Sequence, residues 1–253
     1  MIPDLPADNA FPRWLEEIAG YQVGDLRRRW RLAFDVDGPL DLVLLGIGSG
    51  GGEDGETRID SGAIAPAIDT ALVRARLAAV RQVAADHRSE LLVAGRTSAA
   101  TLGWLERHAA ARVRAWVEER GLRAASRLAQ SGDGGEDGGR TQRAPASILG
   151  ALLDREGPGS IGDHLARFGD AAIVDSRVLL AHRLGADEAV WPVAEDRFAS
   201  DLLLADRIAD PWLRELTASA AGASIPVLLG GHTLVGPGVR LVAGDPPRRA
   251  RWT

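Results

Sequence analysis

The residues best suited to chemistry are two aspartates at the end of an apolar run, in the stretch Phe34-Asp35-Val36-Asp37-Gly38. The pattern predicts a strand over residues 30–36, and side chains two apart on a strand point to the same side. Asp35 and Asp37 would then converge, so that they hold Mg²⁺ together or one attacks phosphorus while the other handles the proton. A second interpretation stays open, because Asp37-Gly38 also fits the turn of a β-hairpin whose second strand is the apolar run 42–47.

The stretch Asp35 to Gly38 resembles the opening motif of the haloacid dehalogenase-like phosphohydrolases, in which a strand is followed by Asp-x-Asp-Gly. The resemblance implies that Asp35 is the nucleophile and Asp37 the acid or base. It covers only short, scattered segments of the chain. The sequence also departs from the family at Pro39, where the family usually has Thr, and the chain contains no Lys for the motif's basic residue.

Two later segments follow in the order that this resemblance requires. Leu91 to Ser98 is similar to the strand end where the family places a phosphate-binding hydroxyl, and here Thr97 and Ser98 supply the hydroxyls. Gly169-Asp170 followed by Asp175 is similar to the family's acidic magnesium-binding motif. We therefore predict an Mg²⁺ site formed by four carboxylates, those of Asp35, Asp37, Asp170 and Asp175.

The turn Gly95-Arg96-Thr97-Ser98 lies between an expected strand, 90–94, and an expected helix. A guanidinium, two hydroxyls and the amino end of a helix can together receive an oxyanion. We predict that Arg96, Thr97 and Ser98 bind the phosphoryl group of a substrate. A plain helix cap beside a surface arginine is the other interpretation.

Other candidates carry weaker signals. His232 stands in a glycine-rich turn expected between two strands, 225–229 and 239–242, where loop residues often carry chemistry. The glycines from Gly46 to Gly51 match a dinucleotide-binding pattern, but acidic residues follow them instead of a helix, so we interpret them as a loop. The arginines over residues 107–127 alternate with glutamates, which favours a solvated face over a nucleic-acid surface.

Composition excludes several classes of chemistry. The chain has no cysteine, which removes disulfides and thiolate metal sites, and all 30 of its Lys and Arg residues are Arg, which removes Schiff-base and P-loop lysines. A net charge of −5 does not imply nucleic-acid binding. No run reaches the roughly 18 apolar residues of a membrane span, and no secretory signal pattern is present, so we expect a soluble cytoplasmic protein.

The helices and strands expected around these residues indicate an α/β fold, a layered sandwich with a central mixed sheet and helices on its faces. Helical periodicity is clear over 68–87 and extends over the whole of 99–117, while a strand is expected at 171–174. We expect one domain over residues 1–253, divided into two halves by a flexible, disordered glycine-rich linker at 131–143. Loop character is also expected at 48–62.

These observations favour a metal-dependent phosphate-ester hydrolase that uses Mg²⁺ and acts on a small phosphorylated molecule. Two alternatives remain at this point. One is a metal-dependent nuclease of ribonuclease H-like type, in which an acidic residue of a first hairpin meets others from later strands. The other is a non-catalytic binding or regulatory protein.

Overall fold

A computed structural model describes residues 10–24, 29–48, 69–119 and 146–244. The predicted linker at 131–143 and nearly all of the predicted loop at 48–62 lie outside these ranges. The described part is α/β and contains one four-stranded sheet. Its strands are β1 (Glu90–Gly95), β2 (Arg112–Val117), β3 (Ala171–Asp175) and β4 (Val227–Gly230).

Helices account for most of the other described residues. The α-helices are α1 (Ala10–Glu17), α2 (Pro39–Gly48), α3 (Ala71–Ala85), α4 (Ala99–His108), α5 (Ile148–Glu156), α6 (Ile161–Ala166), α7 (Ser176–Leu184), α8 (Ala194–Asp201), α9 (Pro211–Gly222), α10 (His232–Val235) and α11 (Val239–Ala243). Short 3₁₀ helices span Trp30–Ala33, Pro158–Ser160, Glu188–Val190 and Ala205–Arg207. None of the described helices is both long and apolar enough to cross a membrane.

The strand order is β2-β1-β3-β4, and every neighbouring pair is parallel. The mixed sheet expected from the sequence is therefore wrong for the described strands. The chain leaves β1 for β2 on one side, and its next strand, β3, lies on the other side of β1. The order in which the chain adds strands thus reverses between β1 and β3, which is where α/β proteins commonly open a crevice at the carboxyl ends of their strands.

Alternate residues of the central strands enter two separate apolar clusters. Leu91 and Val93 of β1 pack with apolar residues of α2, α3, α4 and α11. Leu92 and Ala94 pack with those of α5, α6 and α9. Burial on both faces explains why β1 and β3 are nearly continuous apolar runs, as strands of parallel sheets usually are.

The predicted hairpin over residues 30–47 is wrong. Its first arm contains the 3₁₀ helix Trp30–Ala33, and its second arm is helix α2. Pro39 begins α2, at a position where proline needs no N–H, and the Asp41 carboxylate accepts hydrogen bonds from the N–H groups of Asp37 and Gly38, both at 2.9 Å. The run 42–47 is apolar because one side of α2 is buried in the core, where Val43 and Leu44 are 2% and 0% exposed.

Two further predictions fail for a related reason. The helix expected over 99–117 ends at His108, and residues 112–117 form β2, which pairs with β1. The strand expected at 239–242 is helix α11. A short apolar run fits either a helix or a strand, so the neighbouring element against which it packs decides which of the two forms.

Candidate functional site

A cleft of about 440 Å³ opens at the carboxyl ends of the strands. The loop after β1 contributes Arg96, and the residues after β4 contribute Gly231, His232 and Thr233. Segments distant in sequence complete it, because Asp35 and Asp37 come from the loop before α2. The charged and imidazole side chains in its lining are those of Asp35, Asp37, Asp41, Arg96, Arg177, Glu188, Arg197, Asp201 and His232.

Two contacts fasten the Asp35 loop to the start of α10. His232 Nε2 lies 3.1 Å from Asp35 Oδ2, and the Thr233 hydroxyl donates to the Asp35 carbonyl oxygen at 3.1 Å. The Asp35 side chain is 62% exposed and that of His232 37% exposed, so both remain accessible from the cleft. The imidazole holds one carboxylate oxygen of Asp35, and the other oxygen has no partner among the described residues.

Asp37 lies beside Asp35 in the same lining, and the backbone N–H of Asp37 is tied to Asp41. The Asp41 side chain is almost fully buried. Burial raises the pKa of Asp41 above its ordinary value; the hydrogen bonds from Asp37 and Gly38 oppose this, and the charges of Asp201 and Asp37 add to it. The cleft therefore contains carboxylates of two kinds, exposed ones at Asp35 and Asp37 and a buried one at Asp41.

Arg96 and Asp175 join the ends of β1 and β3 across the point where the strand order reverses. Arg96 Nε donates to Asp175 Oδ2 at 2.6 Å, and Arg96 Nη2 donates to Oδ1 at 3.0 Å. The Arg177 N–H also donates to Asp175 Oδ1 at 3.1 Å, which caps α7. Because these donors occupy both oxygens of the buried Asp175 carboxylate, it is a structural partner of Arg96 and is poorly placed as the metal ligand predicted from the sequence.

Arg177 and Asp201 form a second two-pronged ion pair in the cleft floor. The Arg177 Nη1 and Nη2 atoms lie 2.5 and 2.6 Å from the two Asp201 oxygens, and Nη1 also donates to the Ser176 hydroxyl at 2.9 Å. Burial raises the pKa of Asp201, and the Arg177 charge opposes that rise. Burial would lower the pKa of Arg177, but Asp201 first, and then Asp175 and Asp41, raise it overall.

Thr97 and Ser98, which were also predicted for the site, are not in the cleft lining. The Thr97 hydroxyl is buried and donates to the Val235 carbonyl oxygen. The Ser98 hydroxyl caps α4 by accepting from the Thr101 N–H at 3.2 Å. For Ser98 the plain helix-cap interpretation of this turn is therefore the better one.

Asp170 precedes β3 and lies at the opposite, amino edge of the sheet, where its carboxylate accepts from the Glu90 N–H at 2.8 Å. Five strand residues separate it from the cleft edge, a distance of about 16 Å. The predicted gathering of Asp170 with Asp35 and Asp37 does not occur. The structure brings together Asp35, Asp37 and Arg96, and adds residues that the sequence did not single out for this site, namely Asp41, Arg177, Glu188, Arg197 and Asp201.

The cleft lining has an excess of acid. Five carboxylates face three guanidiniums and one imidazole, and the guanidiniums are already engaged, Arg197 with Glu188 at 3.2 Å and the other two as described above. Within the described ranges, no three His, Asp or Glu side chains are grouped so that they alone could hold a metal ion. A phosphate entering this cleft would need a cation to accompany it.

Comparison with known proteins adds no further constraint. No family model, curated protein or solved structure matches this chain. The functional interpretation therefore rests on the geometry and charge of the cleft.

Because the pKa of Asp41 is raised in the folded protein, the stability of an Asp41→Asn variant relative to wild type should depend on pH. A carboxyl whose pKa is higher in the folded than in the unfolded chain destabilises the fold when ionised, and that cost disappears below the unfolded pKa, about 3.9. Asp41→Asn keeps an oxygen that can accept from Asp37 and Gly38 but carries no charge. We expect Asp41→Asn to be more stable relative to wild type at neutral pH than at about pH 4, so that the free energy of unfolding of the variant minus that of wild type is larger at neutral pH.

Urea denaturation at both pH values measures this difference. Asp206→Asn, a change at an exposed aspartate outside the cleft, is the matched control and should show no such trend. An Asp41→Asn effect that is the same at both pH values would contradict the prediction.

Proposed function

We propose that this protein hydrolyses a small phosphate ester in the cleft at the carboxyl ends of β1, β3 and β4, with Mg²⁺ as its cofactor. One observation carries the proposal. Asp35 and Asp37, from the loop before α2, line the same cleft as Arg96, from the loop after β1. Carboxylates and a guanidinium meeting at a switch point of a parallel sheet are suited to phosphoryl chemistry.

The acid excess of the cleft supports a role for a cation. Mg²⁺ commonly binds through one or two carboxylates, several waters and the phosphate of the substrate, and does not require a cage made only of protein. Of the two exposed aspartates, Asp35 would hold the ion, because Asp37 is the one that transfers the proton, and when bound the ion would neutralise charge on the phosphoryl group. The absence of a three-residue cluster among the described residues is compatible with such a shared site.

Arg96 can serve the substrate without leaving Asp175. A guanidinium has five N–H donors in a fixed fork, and only two of its nitrogens are used by the Asp175 carboxylate. The Arg96 side chain is 16% exposed and lines the cleft. Its remaining N–H groups are available to a phosphoryl oxygen, and Asp175 fixes their direction.

The two exposed aspartates then take the roles that the family resemblance implies. Asp35 attacks phosphorus with the oxygen that His232 does not contact, which forms an aspartyl phosphate as the ester P–O bond breaks. Asp37 gives its proton to the leaving oxygen. Water then attacks the aspartyl phosphate, its proton returns to Asp37, and inorganic phosphate is released with Asp35 regenerated.

Turnover of p-nitrophenyl phosphate tests this proposal. We expect hydrolysis by wild type that requires Mg²⁺ and is abolished by EDTA, and a loss of about 100-fold or more in Asp35→Asn, because the variant lacks the attacking carboxylate. Asp206→Asn should retain wild-type turnover. No turnover by wild type with either Mg²⁺ or Mn²⁺, or equal turnover in Asp35→Asn, would overturn the proposal.

The acid excess also bears on the alternatives. A nuclease must attract a polyanion, and a cleft whose guanidiniums are already paired with carboxylates offers little attraction, so that function is not favoured.

Binding of a small organic cation without catalysis is the second candidate, since five carboxylates face three guanidiniums. Calorimetric titration with spermidine tests it, with Asp35→Asn expected to weaken binding.

A further inference from the structure

Strand β2 lies at one edge of the sheet, with β1 on its inner side. The Arg112 N–H donates to the Ser89 carbonyl oxygen at 2.9 Å, and the Glu118 N–H donates to the Gly95 carbonyl oxygen at 3.0 Å. Residues two apart on a strand direct their backbone groups to the same side, so the even-numbered residues of β2 pair with β1. The odd-numbered residues direct their N–H and C=O groups outward, away from every described strand. They are Val113, Ala115 and Val117.

The side chains at the two ends of this edge carry opposite charges. Arg112 is exposed and forms no ion pair in the described part of the chain. Glu118 directly follows β2, and each of its carboxylate oxygens accepts one hydrogen bond from the start of α5, which leaves a second acceptor position on each oxygen. Val117, between them, is 57% exposed. A strand that is basic at one end and acidic at the other is complementary to itself when reversed.

We propose that β2 pairs antiparallel with β2 of a second copy of this chain, with Ala115 on the two-fold axis. In this register Val113 lies opposite Val117 of the second copy, and the two Ala115 residues lie opposite each other. Every outward residue then exchanges both of its hydrogen bonds with an outward residue of the second copy. The two sheets join into one continuous sheet, and the same surface serves both copies, as a two-fold symmetric dimer requires.

The same register also matches the side chains. Arg112 lies opposite Glu118 of the second copy, and Arg114 lies opposite Trp116 of the second copy. Opposite charges facing each other across two strands stabilise their pairing, and so does a guanidinium beside an indole ring. Arg114 keeps its ion pair with Glu90 of its own chain. By symmetry each contact across the edge occurs twice.

The adjacent registers that keep the hydrogen bonds in phase are less favourable. Centring the pair on Arg114 would place two guanidiniums opposite each other, and like charges directly across two strands are destabilising. Centring it on Trp116 would place Val113 opposite a residue beyond the end of β2. Charged side chains on an edge strand also oppose unmatched pairing in general. The charges of β2 therefore favour one partner, a second β2 centred on Ala115.

This edge is separate from the cleft. No residue of β2 is part of the cleft lining, which comes from segments after β1 and β4, before α2 and within α7 and α8. The proposed dimer is therefore independent of the proposed hydrolysis, and Asp35→Asn should dimerise like wild type.

Sedimentation velocity of the full chain over a range of micromolar concentrations tests the proposal. We expect a reversible dimer whose fraction rises with concentration. Ala115→Pro removes the outward N–H on the two-fold axis from both copies, so the central pair loses its hydrogen bonds and the dimer should weaken at least about tenfold. Proline is tolerated on an edge strand where the N–H points outward, so this variant should fold. Ala115→Ser keeps the N–H and is the matched control.

A charge reversal tests the register. Arg112→Glu places an acidic side chain opposite Glu118 of the second copy, at two symmetric positions, and should weaken the dimer by about tenfold or more. Arg207→Glu makes the same change of charge at an exposed arginine outside β2 and should dimerise like wild type.

A chain that stays monomeric at every concentration would overturn the proposal. Slow hydrogen exchange of the outward amides in that monomer would show that another part of the same chain covers the edge. Wild-type dimerisation by a folded Ala115→Pro variant, or by Arg112→Glu if the proline variant does not fold, would overturn it as well. Equal weakening by Arg207→Glu would indicate an effect of overall charge and would also overturn it.

Discussion

Arg177→Met should lower the free energy of unfolding by about 3–5 kcal/mol at neutral pH, the cost of removing one partner of a buried ion pair. Methionine fills much of the space of the arginine stem but leaves the Asp201 carboxylate, whose side chain is 6% exposed, without its two-pronged partner. It also leaves Asp41 and Asp175 without a nearby positive charge that they share with Asp201. Urea denaturation of the purified variant measures the loss.

The same variant should recover part of this loss in acid. Burial already raises the pKa of Asp201 in the wild-type protein, and without Arg177 nothing of comparable strength opposes that rise. A raised pKa in the folded state means that the cost of the ionised carboxylate is present above that pKa and disappears as the group takes up a proton. The stability difference from wild type should therefore shrink as the pH falls from about 7 towards 5.

Arg114→Met is the control for the loss of an arginine ion pair. Arg114 contacts Glu90 at 2.9 Å, but its side chain is 42% exposed, and exposed pairs contribute no more than about 1 kcal/mol. A loss in Arg177→Met as small as that in the control would contradict a structural role for the Arg177 and Asp201 pair.

Gly95→Ala should destabilise the fold by about 2–6 kcal/mol, through backbone strain and overpacking together. Gly95 ends β1 with φ of 128°, a region that other residues rarely adopt. A Cβ atom at this position would lie 2.2 Å from the Cβ of Asp175, far inside van der Waals contact. The ends of β1 and β3 would have to separate, which also displaces Arg96 from Asp175.

Thermal and urea denaturation measure the effect of Gly95→Ala. Gly222→Ala, in the last position of α9, is the matched control, because a Cβ there meets no atom within 4 Å and its φ lies outside the positive range. That variant should be unchanged or more stable by up to about 1 kcal/mol. If both alanines were tolerated equally, the close approach of β1 and β3 at Gly95 would be incorrect.

Local sequence patterns correctly predicted those helices and strands whose local preference agrees with their packing in the fold. Strands β1 and β3 are short, apolar and bounded by polar residues, and α3 buries Val73, Leu77 and Val80 at helical spacing. Asp210 followed by Pro211 is a pattern typical of a helix start, and α9 begins there, with the Asp210 carboxylate accepting from the Leu213 N–H at 2.7 Å. In these places local preference and tertiary packing favour the same structure.

Tertiary context decided the elements that were predicted incorrectly. In β2, the spacing of Val113, Trp116 and Val117 continues the helical pattern of α4, yet this segment lies beside β1 and completes its hydrogen bonds. The run 42–47 of α2, in which Val43 and Leu44 are buried, was predicted as a strand for the same reason. An apolar run has no period that identifies it when its neighbours are unknown.

Only the site residues that belong to a local sequence motif could be predicted. Asp35, Asp37 and Arg96 were identified because each lies near a turn with a chemical signature. Arg96 reaches the cleft because it follows β1, but Asp35 and Asp37 reach it on the loop before α2, which contacts of Asp35 with His232 and Thr233 hold in place. Arg177 and Asp201 have no such local pattern. Their pairing depends on how α7 and α8 approach each other, which spacing along the chain does not encode.

A crystal structure of the protein with Mg²⁺ and orthovanadate, an analogue of a phosphoryl group, tests directly whether the cleft binds a phosphoryl group beside Asp35 and Arg96. We expect vanadium density in the cleft, beside the Asp35 carboxylate and within hydrogen-bond distance of Arg96, with Arg96 still paired to Asp175. A cleft without vanadate at saturating concentration, or vanadate bound only elsewhere on the molecule, would contradict it.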